Sequence, residues 1–297
     1  MGMIDELQTA AALAAATAGP VTVRIGRHGG RGLGLVTAPG TVVTNAHNLR
    51  GPTVTVSFAD GRVGTGEVRG VDGAGDLAVV AVDTGTPTAL GWAPSGAPLG
   101  TPVWTVTLTS AGDLRVTAGA VSAVGQPFEG PGGRRIAGSI EHTAPLARGS
   151  SGGPLLDAEG RLLGLNTHRL GDGFYLALPA DEALRRRVDG LAEGRSPRPR
   201  RLGVALAPNE VAVRLRAAVG LPARPGLLVR GVEETGPAAT AGIRSGDLLV
   251  SADGTALTGP DDLYAALAGD APTLAVGVVR GAEEITVEVT FPTTDGA

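Results

Sequence analysis

The chain has 297 residues, enough for two domains with separate cores, and 42% hydrophobic against 18% charged residues excludes a disordered protein. A formal net charge of −4, with only short arginine clusters at 185–187 and 198–201, carries no nucleic-acid signature. The lack of cysteine excludes disulfides, thiolate metal sites and a cysteine nucleophile, and His28, His47, His142 and His168 are not at ligand spacing, so no metal and no other cofactor is expected.

Residues 1–20 carry Asp5 and Glu6 near the start and an alanine-rich run at 10–18. This predicts a short helix, because a secretory leader needs a basic start and an apolar core, and a membrane span needs more length. A cytoplasmic location is expected for the chain as written, and a periplasmic or extracellular one if it is a shortened form of a longer protein. From residue 21 to 180 short β-branched runs alternate with glycine turns, in a chain holding 48 glycines and 21 prolines. Strands are expected at 21–25, 33–37, 41–45, 53–58, 63–71 and 77–82. After a connector at 84–98, six more are expected at 103–108, 116–124, 135–141, 154–156, 161–166 and 174–178. The fold class is therefore mainly β, with two six-stranded barrels.

Residues 181–200 read as a helix and a linker. Asp181 suits an N-cap, Leu184, Val188 and Leu191 share one helix face, and the stretch 194–200 is charged and broken by proline. A small α+β domain is expected over 201–292. Its strands fall at 202–206, 226–232, 248–250, 273–279 and 284–291, and its helices at 210–219 and 261–267.

The chemistry lies in three short motifs. Ser151 stands in Gly149-Ser150-Ser151-Gly152-Gly153-Pro154, where glycines allow a tight curl that turns backbone N–H groups into one small space. A serine hydroxyl becomes a useful nucleophile when a histidine takes its proton and a carboxylate orients that histidine. Upstream candidates are His47 in Thr44-Asn45-Ala46-His47 and Asp76 at the start of Asp76-Leu77-Ala78-Val79. Taken singly, each motif reads as a flexible loop, a surface histidine or a turn aspartate; together and in this order they point to a His-Asp-Ser triad. Asp72 competes with Asp76, which is preferred because it opens an apolar strand.

On these residues the chain resembles the HtrA (Deg) family of trypsin-like serine proteases with a PDZ domain. The resemblance runs through Thr44-Asn45-Ala46-His47, Asp76-Leu77-Ala78-Val79, Ser151-Gly152-Gly153-Pro154, Gly164-Leu165-Asn166-Thr167 and Gly173-Phe174-Tyr175-Leu176-Ala177-Leu178-Pro179. In the second domain it rests on Gly242-Ile243-Arg244-Ser245-Gly246-Asp247-Leu248-Leu249. Ser150, Arg148 and Thr143 depart from the family's usual asparagine, proline and aspartate.

The resemblance implies a chymotrypsin-like double barrel followed by a PDZ domain, acting as a serine endopeptidase on unfolded or misfolded proteins. It implies an oxyanion hole from Gly149, Ser150 and Ser151, and peptide C-termini captured at Leu202, Gly203, Val204, Ala205 and Leu206. It also implies a homotrimer. The rival reading is a proteolytically inactive, chaperone-like peptide binder. Substrate contacts are expected from Leu146, Thr167, His168 and Arg169. An apolar base at Leu146 predicts cleavage after Val, Ala, Leu or Ile, with acidic residues second.

Overall fold

The computed structural model describes residues 2–291 apart from 28–30, 86–88, 94–95, 110–111, 131–134, 137, 197–199, 208, 219, 221–223 and 268–270. His28 and the middle of the expected linker thus lie outside the described residues. The chain divides into two compact units, Met1–Pro197 and Arg198–Ala297.

The first unit opens with helix α1 (Met3–Ala18). The Asp5 carboxylate accepts from the Gly2 N–H at 2.9 Å, and acidic side chains in the first turn suit the positive end of the helix dipole. Ala10, Ala14 and Ala18 follow at i, i+4 spacing and are buried in a core with Trp104, Leu156 and Leu162. Their small side chains let the helix lie close against the barrel strands.

Strands β1 (Thr22–Ile25), β2 (Gly32–Ala38), β3 (Thr41–Thr44), β4 (Thr53–Ser57), β5 (Val63–Asp72) and β6 (Leu77–Ala81) close into a barrel in the order β1-β2-β3-β6-β5-β4. Along β5 the burial alternates, as a strand with one face in a core requires, whereas Leu77, Ala78, Val79 and Val80 of β6 are all buried.

The second set comprises β7 (Pro102–Leu108), β8 (Leu114–Val124), β9 (Phe128–Glu129), β10 (Arg135–Ile136), β11 (Ile140–His142), β12 (Pro154–Leu156), β13 (Leu162–Gly171) and β14 (Phe174–Pro179). Six of them form a second closed barrel, β11-β14-β13-β12-β7-β8. The strand expected at 135–141 is two elements. Residues 135–136 pair with β9 in a separate ribbon, and only Ile140–His142 joins the barrel, because Gly138 with φ 74° turns the chain between them.

Helix α2 (Glu182–Ala192) is capped by Asp181, whose carboxylate accepts from the Leu184 N–H at 2.8 Å. Leu184, Val188 and Leu191 bury one face, each contributing roughly 1.5–3 kcal/mol. Arg187 of the same helix reaches the turn between β5 and β6.

The second unit holds β15 (Val204–Leu206), α3 (Asn209–Ala218), β16 (Leu227–Val232), α4 (Pro237–Thr240), β17 (Leu248–Ala252), β18 (Thr255–Ala256), α5 (Pro260–Leu267), β19 (Thr273–Arg280) and β20 (Glu283–Thr290). The strands run in the order β15-β16-β17-β19-β20, with β18 paired to β17. Asp247 anchors this unit. Arg280 grips its carboxylate with two bonds, 2.8 and 2.7 Å, and the Arg244 N–H donates to it at 2.8 Å. Burial raises the Asp247 pKa, but these donors outweigh it and hold the carboxyl below its usual range.

Candidate active site

His47 lies in a short 3₁₀ turn, Ala46–Asn48, directly after β3, and Asp76 directly precedes β6. Because β3 and β6 pair side by side, with Thr44 opposite Ala78, barrel closure brings the two residues together. Asp76 adopts φ 50°, a left-handed conformation that aspartate tolerates better than most residues. The His47 ring Nδ1 lies 2.9 Å from Asp76 Oδ2 and 3.0 Å from Oδ1, and the His47 backbone N–H donates to Oδ1 at 3.1 Å. The Thr167 hydroxyl donates to Oδ2 at 2.7 Å, and the Asn45 side chain donates to the Asp76 carbonyl at 3.0 Å. An ionised carboxylate can only accept, so Nδ1 carries the proton and the lone pair sits on Nε2, where a general base needs it.

Asp72, at the other end of the same turn, is committed elsewhere. It accepts from the Gly75 N–H at 2.8 Å and from Arg187 at 2.7 and 3.0 Å, while Arg187 also donates to the Gly75 carbonyl.

The turn carrying Ser151 is clamped from both barrels. The Leu33 N–H donates to the Ser151 carbonyl at 2.7 Å, and the Asn48 amide donates to that carbonyl at 3.0 Å and to the Thr44 hydroxyl at 2.9 Å. Gly152 has φ 90°, and a Cβ there would stand 1.9 Å from the Leu33 carbonyl oxygen, so only glycine fits. The Gly152 N–H donates to Asn166 O at 2.7 Å and the Gly153 N–H to Ser150 O at 3.0 Å. None of the N–H groups of Gly149, Ser150 and Ser151 donates to a described residue. The Ser151 hydroxyl donates to the Thr167 carbonyl at 2.8 Å; among the described residues it makes no bond to His47.

Thr167 is the extra residue of a β-bulge, since Asn166 pairs with Ala177 and His168 with Leu176. Bulges re-aim side chains, and this one turns the Thr167 hydroxyl to Asp76 and its carbonyl to Ser151. Behind it the Asn166 amide donates to Pro154 O at 3.0 Å, so its oxygen faces His142 Nε2 at 2.9 Å. Burial pushes the His142 pKa down to about 4 against a raising effect of Asn166, and its Nδ1 has no partner among the described residues.

A cleft of about 340 Å³ opens beside Ser151, bounded by Leu146, Arg148, Thr167, His168, Arg169 and Tyr175. The four residues expected there, Leu146, Thr167, His168 and Arg169, all line it. Asn45, Asn48, His142 and Tyr175 were not singled out as site residues. Asn45 and Asn48 flank His47 in sequence, which is the one signal that could have found them.

In the second unit a groove of about 540 Å³ runs between β15 and α5, with Val204, Ala205 and Leu206 on one side and Leu263, Tyr264 and Leu267 on the other. Among the described residues β15 pairs only with β16, so its other edge is open there. The strand starts at Val204 rather than at the expected 202, because Gly203 has φ 75° and its carbonyl accepts from the Glu233 N–H. Leu202 reaches the groove, but it is 2% exposed and packs in the core with Val229 and Ala238.

The trypsin-like peptidase domain family matches residues 32–165, and the PDZ domain family matches residues 228–280. The serine protease HhoA of Synechocystis sp. is 34% identical over 262 residues, which is 80% of this chain and 64% of that protein. The periplasmic serine endoprotease DegP-like protein of Brucella suis is 30% identical over 282 residues, 86% of this chain and 51% of its own length. The chain thus spans less than two thirds of these relatives. The structure of the HtrA-type protease AlgW with a decapeptide superposes with a TM-score of 0.72 at 23% identity, covering 94% of this chain and 97% of that one. The chain thus carries a trypsin-like peptidase domain followed by a PDZ domain, and it is similar along most of its length to serine proteases of the HtrA and DegP type.

Proposed function

We propose that the chain is a serine endopeptidase that hydrolyses peptide bonds of unfolded or misfolded proteins through His47, Asp76 and Ser151. The observation that carries this is the buried Asp76 carboxylate, which meets the His47 Nδ1 at 2.9 Å beside a serine turn with three N–H groups that donate to no described residue. Rotation of the Ser151 side chain from the Thr167 carbonyl to His47 Nε2 sets up attack. His47 then takes the hydroxyl proton, and Ser151 Oγ adds to the scissile carbonyl. The N–H groups of Gly149, Ser150 and Ser151 receive the oxyanion. His47 returns the proton to the leaving amine, and water, activated by the same imidazole, releases the acyl group. Asp76 stabilises the imidazolium throughout, with the Thr167 hydroxyl keeping the carboxylate in place.

The groove at β15 supports a second role. A peptide C-terminus adds as a strand to its open edge, with side chains entering between Val204, Leu206 and α5. The assembly in this reading is a homotrimer, which sedimentation measures. Its location is periplasmic or extracellular if a leader precedes the chain in the full protein, and cytoplasmic if none does; cell fractionation separates these.

Casein digestion with and without a serine-directed covalent inhibitor tests the reading. Inhibitor-sensitive cleavage that disappears in Ser151→Ala supports it. Persistent binding of casein with no cleavage would instead favour the chaperone-like alternative.

A further inference from the structure

The cleft beside Ser151 differs from the apolar pocket that Leu146 led the sequence to predict. Leu146 and Tyr175 are only 9% and 8% exposed, so they offer a substrate little apolar surface. The exposed side chains around them are Arg148, His168 and Arg169. Arg169 does not extend freely into water from the rim. Its guanidinium lies over the Tyr175 ring, 5.3 Å from the centroid, and donates to the Leu146 carbonyl. That leaves further N–H donors of a planar fork that can hold both oxygens of a carboxylate. No carboxylate lines the cleft, and neither Arg148 nor Arg169 has an acidic partner among the described residues. Elsewhere in the same unit Arg62, Arg161 and Arg187 each hold one. A concentration of unpaired cations in a chain of net charge −4 is a local feature of this cleft.

We infer that this cleft selects a glutamate or aspartate side chain on the substrate, received by the Arg169 guanidinium, with Arg148 adding to the positive field. The inference rests on the protease reading for its consequence, cleavage after acidic residues, but the recognition itself is a binding property. An exposed ion pair in water is weak. A bound peptide, however, covers the cleft, and a charge-assisted bond held against an aromatic face gains from the loss of water. The apolar alternative has to bury its side chain against surface that Arg169 already occupies. The contact of Arg169 with Leu146 O is also five residues from Ser151, so an acidic side chain would engage the same chain segment that carries the nucleophile.

The test uses C-amidated, N-acetylated peptides that differ at one position, Glu or Val, so that no free C-terminus can engage the second domain. Binding to Ser151→Ala is measured by calorimetry, and hydrolysis is measured with the wild type. The expected result is at least about tenfold tighter binding and at least about tenfold higher kcat/KM for the Glu peptide, with the binding preference shrinking as salt rises. Arg169→Gln should abolish the preference, and Arg169→Lys should retain part of it. Equal or tighter binding of the Val peptide, or a Glu preference that survives in Arg169→Gln, overturns the inference. Glu-selective binding to Ser151→Ala without hydrolysis by the wild type would remove the protease reading and leave the pocket assignment standing.

Discussion

The cleft beside Ser151 and the groove beside β15 are built on opposite principles. In the cleft, side chains from distant parts of the sequence hold the geometry: Thr167 reaches Asp76 across 91 residues, and Asn48 reaches the Ser151 carbonyl across 103. In the groove, the proposed binding element is the backbone edge of a three-residue strand that no described strand covers, and side chains only line the space. Chemistry needs individual atoms fixed to within fractions of an ångström, whereas strand addition needs a row of N–H and C=O groups with nothing in front of them. Single side-chain truncations should therefore ruin the first site and scarcely affect the second, which yields to changes in the backbone.

The sharpest test of this contrast is the largest effect. Ser151→Ala and His47→Ala should each lower kcat by at least about 10⁴-fold while leaving thermal unfolding nearly unchanged. Comparable turnover in the wild type and Ser151→Ala would end the triad assignment.

The two aspartates of one turn sharpen it next. Asp76→Asn should cost about 10³–10⁴-fold in kcat, because an amide permits the wrong imidazole tautomer. Asp72→Asn should change kcat by less than about tenfold. Its loss appears instead as about 1–3 kcal/mol of stability, since Arg187 keeps a buried partner of lower charge. Denaturant titration and steady-state kinetics on both variants separate the two roles, and a larger kcat loss in the Asp72 variant would transfer the orienting role.

For the groove, the matching disruption is Val204→Pro, which removes an N–H from the open edge of β15, since the Glu233 N–H to Gly203 O bond and the pairing of Ala205 with Gly231 turn the Ala205 N–H towards β16. Peptide binding to the second domain should fall at least about tenfold, and cleavage of short peptides should stay within about twofold. Unchanged peptide affinity would mean that the edge of β15 is not the docking element.

The last effect is a slope. His142 is fully buried and has its pKa held at about 4, against about 6.5 in an unfolded chain. Between those values the unfolded state binds the proton and the folded state does not, so stability falls as pH drops from about 6.5 through about 4. The loss amounts to about 3 kcal/mol, and it should fall on the strand that carries Asn166 and backs the Ser151 turn. Replacing His142 by Gln should flatten this part of the stability profile in urea titrations at several pH values. A slope that persists in the variant would place the proton uptake on another group.

Much of this protein was legible from local pattern alone. Glycine-separated β-branched runs predicted ten of the twelve barrel strands to within two residues at each end, because alternation and turn residues act over a few positions, while β13 runs to Gly171, five residues past its expected end. The failure at 135–141 came where a short ribbon leaves the barrel, a choice made by pairing partners and not by propensity. The motifs around His47, Asp76 and Ser151 were readable because each is a short backbone device at the end of a strand.

What the sequence by itself determined was the order of domains, the two barrels and the residue types able to form a triad, all consequences of short-range periodicity and turn chemistry. The tertiary structure decided which aspartate meets the imidazole, since Arg187 of α2 claims Asp72 from 115 residues away. It also decided that the bulged Thr167 supports Asp76 as well as lining the cleft. Finally, it set Arg169, an expected substrate contact, against the cleft wall, because its position depends on the Tyr175 ring and the Leu146 carbonyl, which lie on other segments of the chain. Such contacts are fixed only when the barrels close, and no periodicity within one segment encodes them.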